Sequence, residues 1–342
     1  MKQLICPRDH VVEIVDVPQP ACGAGELLIA MTACGICGTD LMKVYDPTVA
    51  KPVQLGHEIV GTVRALGSGV TAFQKHQRVA IAHHAPDYAS HYTRRGSATQ
   101  DPAFKSSNIA PSGFAEVIRV PADLAAHTVF AVPEDMPDLR AVFMEPLACC
   151  LRALDKVPVV EGDTVLIVGT GAIGLLFVPL LRDIKVRIVA ADVRAERLQL
   201  ARDWGAMATG LVGMDDIAAI AKQCSDNRGA DLVILTVVNA ATLALALDAV
   251  RDGGSIIPFG VKPGMMPQLD LWQMYRREIS LVTSYSATPD GLSRAIALLA
   301  KPGFELETTI SHELPLEGAA EGFELLHQAQ ASKIVIINSP RK

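Results

Sequence analysis

Gly169-Thr170-Gly171-Ala172-Ile173-Gly174 follows directly on the apolar run Thr164–Val168 and leads into a helix-patterned apolar stretch from Leu175. No other feature constrains the fold as much. In a G-x-G-x-x-G spacing between strand and helix, Gly169 permits the tight turn and Gly171 lets the backbone approach a pyrophosphate. Gly174 lets helix and strand pack closely, and the helix N-terminus faces the phosphates. A second apolar run, 186–191, ends at Asp192. A carboxylate there accepts ribose hydroxyls and repels a 2′-phosphate, so NAD is expected over NADP. Arg194 and Arg197 are the counter-signal, since a nearby arginine accommodates that phosphate. The candidate cofactor site is therefore Gly169, Gly171, Ala172, Ile173 and Gly174 with Asp192 and Arg197.

From residue 164 onward, candidate strands at 164–168, 186–191, 232–237, 255–259 and 279–283 alternate with helical patterns, which predicts βαβ units and a parallel sheet. Residues 11–119 run in short β-rich pieces (26–32, 59–66, 78–82, 115–120) punctuated by Gly and Pro. A helix at 289–300 and a strand at 333–338 close the chain. At 342 residues it is long for a single core. The expectation is an α/β protein in which a β-rich unit is joined to a doubly wound parallel sheet.

Half the residues are apolar and 20% are charged, which excludes a disordered chain. Net charge is −6 with scattered Lys and Arg, so nucleic acid is not an expected partner. No apolar run reaches the roughly 20 residues of a bilayer span, and no membrane association is expected. Residues 1–10 lack the apolar region of a signal peptide, and the seven cysteines show no disulfide spacing, so the expected compartment is the cytoplasm.

Cys34-Gly35-Ile36-Cys37-Gly38-Thr39-Asp40 is ambiguous alone, because C-x-x-C serves redox pairs, zinc sites and buried thiols alike. Gly56-His57-Glu58 and Glu145-Pro146 add imidazole and carboxylate, the ligand types that a catalytic zinc accepts while keeping one position open.

Together CGICGTD, GHEIVGTV, EPLACC and GTGAIG resemble the zinc-dependent medium-chain dehydrogenase/reductase family, especially its sorbitol (polyol) dehydrogenase branch, and the likeness spans nearly the whole chain. The resemblance implies a GroES-like catalytic domain at 1–150, a Rossmann NAD-binding domain at 151–286 and a return to the catalytic domain at 287–342. It implies Cys37 and His57 as zinc ligands, with Glu145 or Glu58 as the third, Asp40 orienting them, and Cys34 a buried thiol. Thr39 would bond the substrate hydroxyl and pass on its proton. The implied reaction moves hydride from a secondary alcohol of a polyol, sugar or cyclitol to NAD, with zinc as Lewis acid. A homodimer or homotetramer is expected. The alternatives are a weakly active or non-catalytic dinucleotide-binding relative, and a zinc-free enone or quinone reductase, which would predict loss of the ligands.

Two departures stand out. Where many members hold a structural zinc with C-x2-C-x2-C-x7-C, this chain has Asp87, Ser90, Thr93 and Asp101, so one zinc is expected and the lobe must hold by other means. His83, His84 and His91 crowd that region; a replacement metal site is the sharper reading, solvated loop histidines or an interface patch the plainer one. Met42 stands where many relatives have the histidine of a proton relay, and a thioether carries no proton. Either the relay would then run from Thr39 through the cofactor ribose to water, or Lys43 or Tyr45 takes part, or turnover is slow.

Overall fold

The computed structural model describes residues 1–338. The chain forms two compact units, one of Met1–Ala148 with the residues from Ala287 onward, the other Cys149–Ser286.

The second unit is built on a parallel sheet whose six strands run, in spatial order, Ala208–Leu211, Arg187–Asp192, Thr164–Val168, Ala230–Leu235, Val250–Pro258 and Ser280–Leu281. Thr164–Val168 is buried at all positions, as expected for a central strand covered on both faces. From it the chain winds outward through two strands, then returns to pair Ala230–Leu235 on its other side. This reversal is the switch point at which doubly wound sheets bind ligands. The first helix, Ala172–Ile184, starts three residues earlier than its apolar pattern suggests, because extended Gly171 is the N-cap. Pro179 is buried inside that helix, which continues to an end at left-handed Lys185. The expected strand 279–283 shrinks to Ser280–Leu281 at the sheet edge. Ala208–Leu211 carries too little β-branched or aromatic character to announce itself in the sequence.

In the first unit, among the described residues, a seven-stranded sheet carries His312–Pro315, Ile334–Ile337, Leu27–Gly35, Glu58–Leu66, Arg78–Ile81 and Val129–Ala131 in order, with Val117–Val120 also paired to Leu27–Gly35. A smaller sheet joins Val11–Asp16, Lys2–Arg8 and Val53–Gln54. Leu27, Ile29, Met31, Ile59, Val63, Phe114, Phe323 and Ile334 build the core between and around them. Short helices, among them Gly38–Tyr45 and Pro102–Ser106, interrupt what the sequence presents as β-rich pieces. The register positions the site: Gly35 pairs with Glu58 on one side and with Val335 on the other.

Candidate metal centre and dinucleotide cradle

One ligand atom each from Cys37, His57 and Glu58 lies within 4.8 Å of the others, the only such group of three among the described residues. Cys37 is the N-cap of the helix Gly38–Tyr45, and His57 and Glu58 stand where Glu58–Leu66 begins. Fully buried Asp40 ties these segments together. Its Oδ2 accepts the Cys37 N–H at 3.2 Å and its Oδ1 accepts the Gly56 N–H at 2.9 Å. The same Oδ1 stands 3.6 Å from His57 Nδ1, the position of a carboxylate that orients a ligand imidazole. Burial opposes charge on both side chains, yet their mutual attraction wins: Asp40 is held below the usual carboxyl range and His57 well above the usual imidazole value.

Glu58 is wholly buried and meets an equally dry cation, Lys333, whose Nζ donates to Glu58 Oε2 and to the Ile36 carbonyl at 3.3 Å. Burial opposes the ammonium, but Glu58 raises its pKa. The pair fits because residue 35 has no side chain; a Cβ there would overlap Glu58 Oε2. Lys333 was legible only as part of a closing motif, although a lone lysine heading the apolar run 334–337 is the signal that marks it. Glu58 Oε1 and His57 Nδ1 are buried without hydrogen-bond partners, so an imidazole and a carboxyl group with unspent valence converge beside the Cys37 sulfur. The residues fit a zinc ion.

The other expected residues fall as follows. Glu145 is 7% exposed in the first turn of Met144–Leu154 and lies outside the three-residue group. Thr39 is exposed in the first turn after Cys37. Burial pushes the Cys34 thiol well above its ordinary pKa, which keeps it neutral. Lys43 donates to the Gln54 carbonyl at 3.1 Å, and Tyr45 donates to Glu324 at 3.2 Å and stacks on His327.

The lobe without thiolates is held by hydrogen bonds. Asp101, 2% exposed, accepts from the backbone N–H groups of Asp87, Ala103 and Phe104 at 3.1, 2.9 and 3.2 Å. Ser90 caps the next helical turn by accepting from the Thr93 N–H. His91 is exposed, as a solvated loop histidine should be. His83 and His84 correct that reading: they lie partly buried in a row of rings that starts at His57.

In the second unit Gly169 has φ +90°, a left-handed turn that suits glycine. A Cβ at Gly174 would overlap the Gly169 carbonyl, whereas one at Gly171 would meet nothing closer than Arg197 Nη1 at 3.7 Å. The protein itself does not require glycine at 171, and the room left suits a pyrophosphate over the first helical turn at Ala172 and Ile173. Asp192, 4% exposed, accepts from the Thr170 N–H at 2.7 Å and the Arg194 N–H at 3.0 Å, with Arg197 Nη1 3.8 Å away. These residues fit a nicotinamide dinucleotide.

Residues 23–134 match the family model of the alcohol dehydrogenase GroES-like domain and 172–301 that of the zinc-binding dehydrogenases. The L-threonine 3-dehydrogenase of Anaeromyxobacter dehalogenans is 27% identical over 94% of this chain and 93% of its own. Among solved structures, the alcohol dehydrogenase of Thermus sp. ATN1 superposes with a TM-score of 0.88 at 26% identity, covering 99% of this chain and 100% of the other. Galactitol-1-phosphate dehydrogenase from Escherichia coli does so at 0.88 and 25%, with the same coverage. A zinc-binding dehydrogenase from Sinorhizobium meliloti 1021 bound to NADP gives 0.88 and 28%, covering 98% and 99%. The chain belongs to the zinc-dependent medium-chain dehydrogenase/reductase family, with a GroES-like domain and a Rossmann domain, and is an NAD(P)-dependent alcohol dehydrogenase acting on CH–OH groups. No helix among the described residues is long and apolar enough to cross a membrane.

Proposed function

We propose that the protein oxidises a secondary alcohol of a polyol, sugar or cyclitol to the ketone, with one zinc ion and NAD. The observation that carries this is the convergence of Cys37, His57 and Glu58, braced by Asp40. Bound there, zinc supplies the Lewis acidity that acidifies an alcohol, and the nicotinamide supplies the hydride acceptor. Cys37 and His57 hold the metal in this reading, with Glu58 as the third ligand that the geometry favours over Glu145. Asp40 fixes the imidazole and the thiolate helix. Thr39 takes the substrate hydroxyl proton and, being exposed, releases it to water. Met42, Lys43 and Tyr45 are not onward carriers, since one is a thioether and the others are engaged elsewhere. Asp192 favours NAD by bonding ribose hydroxyls and repelling a 2′-phosphate. The lobe needs no second zinc because Asp101 ties its turns. A homodimer or homotetramer is the proposed assembly, which exposed Trp272 and Tyr275 in the short helix before the edge strand support.

Metal per chain by plasma mass spectrometry, with NAD reduction across a polyol panel, tests the reading. About one zinc and chelator-sensitive turnover are expected. Two zinc ions would refute the metal-free lobe, and none would favour a non-catalytic relative. Cys37→Ser should abolish turnover while NADH binding persists.

A further inference from the structure

The end of the parallel sheet away from the dinucleotide cradle is hollowed. Gly169 follows the strand Thr164–Val168, whereas Asp163, which precedes that strand, lines a depression of about 910 Å³. That volume falls within the roughly 300–1,000 Å³ of small-molecule sites. Eight of the nine lining residues are charged, four of each sign, so the hollow does not suit an apolar molecule. Most of these charges are spent within the protein. Arg251 donates to Asp231, and Arg277 donates to Asp252 at 2.6 Å and to the Leu247 carbonyl at 2.7 Å. Asp163 accepts the Val160 N–H at 2.9 Å, and Arg228 donates to Asp226 at 3.2 Å. Lys222 and Asp248 are different. Both are exposed, neither forms a hydrogen bond or ion pair among the described residues, and they do not pair with each other.

Asp248 stands in the last turn of the helix Ala240–Ala249, where the negative end of the helix dipole opposes a carboxylate and favours a cation. Lys222 stands in the last turn of Ile217–Gln223. A lone anion would be repelled by Asp248 and by both helix ends. A lone cation would meet Lys222, and an apolar molecule would find only Val250. Two charges held apart in one molecule answer both free groups. We infer that this hollow binds a zwitterion, an amino acid whose ammonium pairs with Asp248 and whose carboxylate pairs with Lys222. The site goes beyond the proposed alcohol oxidation, because every residue lining it belongs to the second unit, at the opposite end of the strand that leads into Gly169.

The test is calorimetric titration of the full chain with glycine, 4-aminobutyrate and 6-aminohexanoate, a series of rising charge separation, against butylamine, butyrate and inorganic phosphate as single-charge probes. One of the amino acids should bind at least ~10-fold more tightly than any single-charge probe. Lys222→Met and Asp248→Asn should each weaken that binding ~10-fold or more, while NADH binding stays within about twofold of wild type. The exchanged variant Lys222→Asp/Asp248→Lys, made at two exposed positions, should regain binding by admitting the ligand the other way round. Binding led by phosphate or butylamine, no preference for any of the three amino acids, or binding that survives both single variants would overturn the proposal. So would an exchanged variant no better than the single ones, or displacement of the amino acid by NADH, which would place it in the dinucleotide cradle. No readout involves turnover, so the titrations decide this site whichever alcohol the enzyme oxidises.

Discussion

Replacing Lys333 with Met removes the ammonium and leaves a hydrophobic chain of similar length. Glu58 is then a carboxylate with no exposed surface, one oxygen deprived of its cation and the other already without a partner. Breaking a buried pair by deleting one member costs about 3–5 kcal/mol, because the survivor is an uncompensated charge. That is a large share of the roughly 5–15 kcal/mol that holds a domain, and it multiplies the unfolded fraction by on the order of a hundred to several thousand. The loss should fall on the first unit. Both tryptophans, Trp204 and Trp272, lie in the second unit, so their fluorescence would miss it. Hydrogen exchange read on peptides covering Leu27–Gly35, Glu58–Leu66 and Ile334–Ile337 is the assay, in metal-free protein across a denaturant series. The double variant Glu58→Gln/Lys333→Met should regain most of the loss, since a neutral amide tolerates the dry site better than a bare carboxylate. Zinc should restore part of the stability of Lys333→Met by giving the carboxylate another cation. A loss below about 1 kcal/mol in Lys333→Met, or a double variant no better than the single one, would refute this account.

Asp101→Ala should loosen residues 87–107 by about 1–3 kcal/mol of local opening energy, seen as faster amide exchange there, while chelation of the wild-type protein leaves exchange in that lobe unchanged. Asp192→Gly should move the ratio of kcat/KM for NAD over NADP towards NADP by at least ~10-fold, measured with one alcohol at saturation. Burial pushes His84 down to about 4, only partly offset by the Ser107 carbonyl. The unfolded chain therefore binds the extra proton between that value and the ordinary imidazole pKa, and stability falls as pH drops through the window. His84→Phe should flatten that part of the stability curve, followed by denaturant melts from pH 7 to 4.

The dinucleotide cradle was readable because everything in it is local: strand, glycines, helix and the acid at the end of the next strand follow one another in a single βαβ unit. Cys37 and His57 are legible as motifs, and Asp40, which accepts the Cys37 N–H, lies three residues from it. Lys333 was not readable as a partner, because 275 residues separate it from Glu58 and only the strand pairing at Gly35 brings them together. The same holds for Asp101, whose work is done through backbone N–H groups that a sequence does not display. His83 looked like one of three loop histidines; ring packing against His57 separates it from His91.

The lysine that neutralises Glu58 is also made 275 residues after it. At about 5–20 residues per second, Cys37, His57 and Glu58 wait on the order of 15–55 s for it. By the end of that interval the second unit, contiguous in sequence, has all its strands, whereas the first still lacks Ile334–Ile337. The strand that brings Lys333 to Glu58 is therefore the last piece of that site to be made, and it docks on a sheet whose other partners at Gly35 already exist.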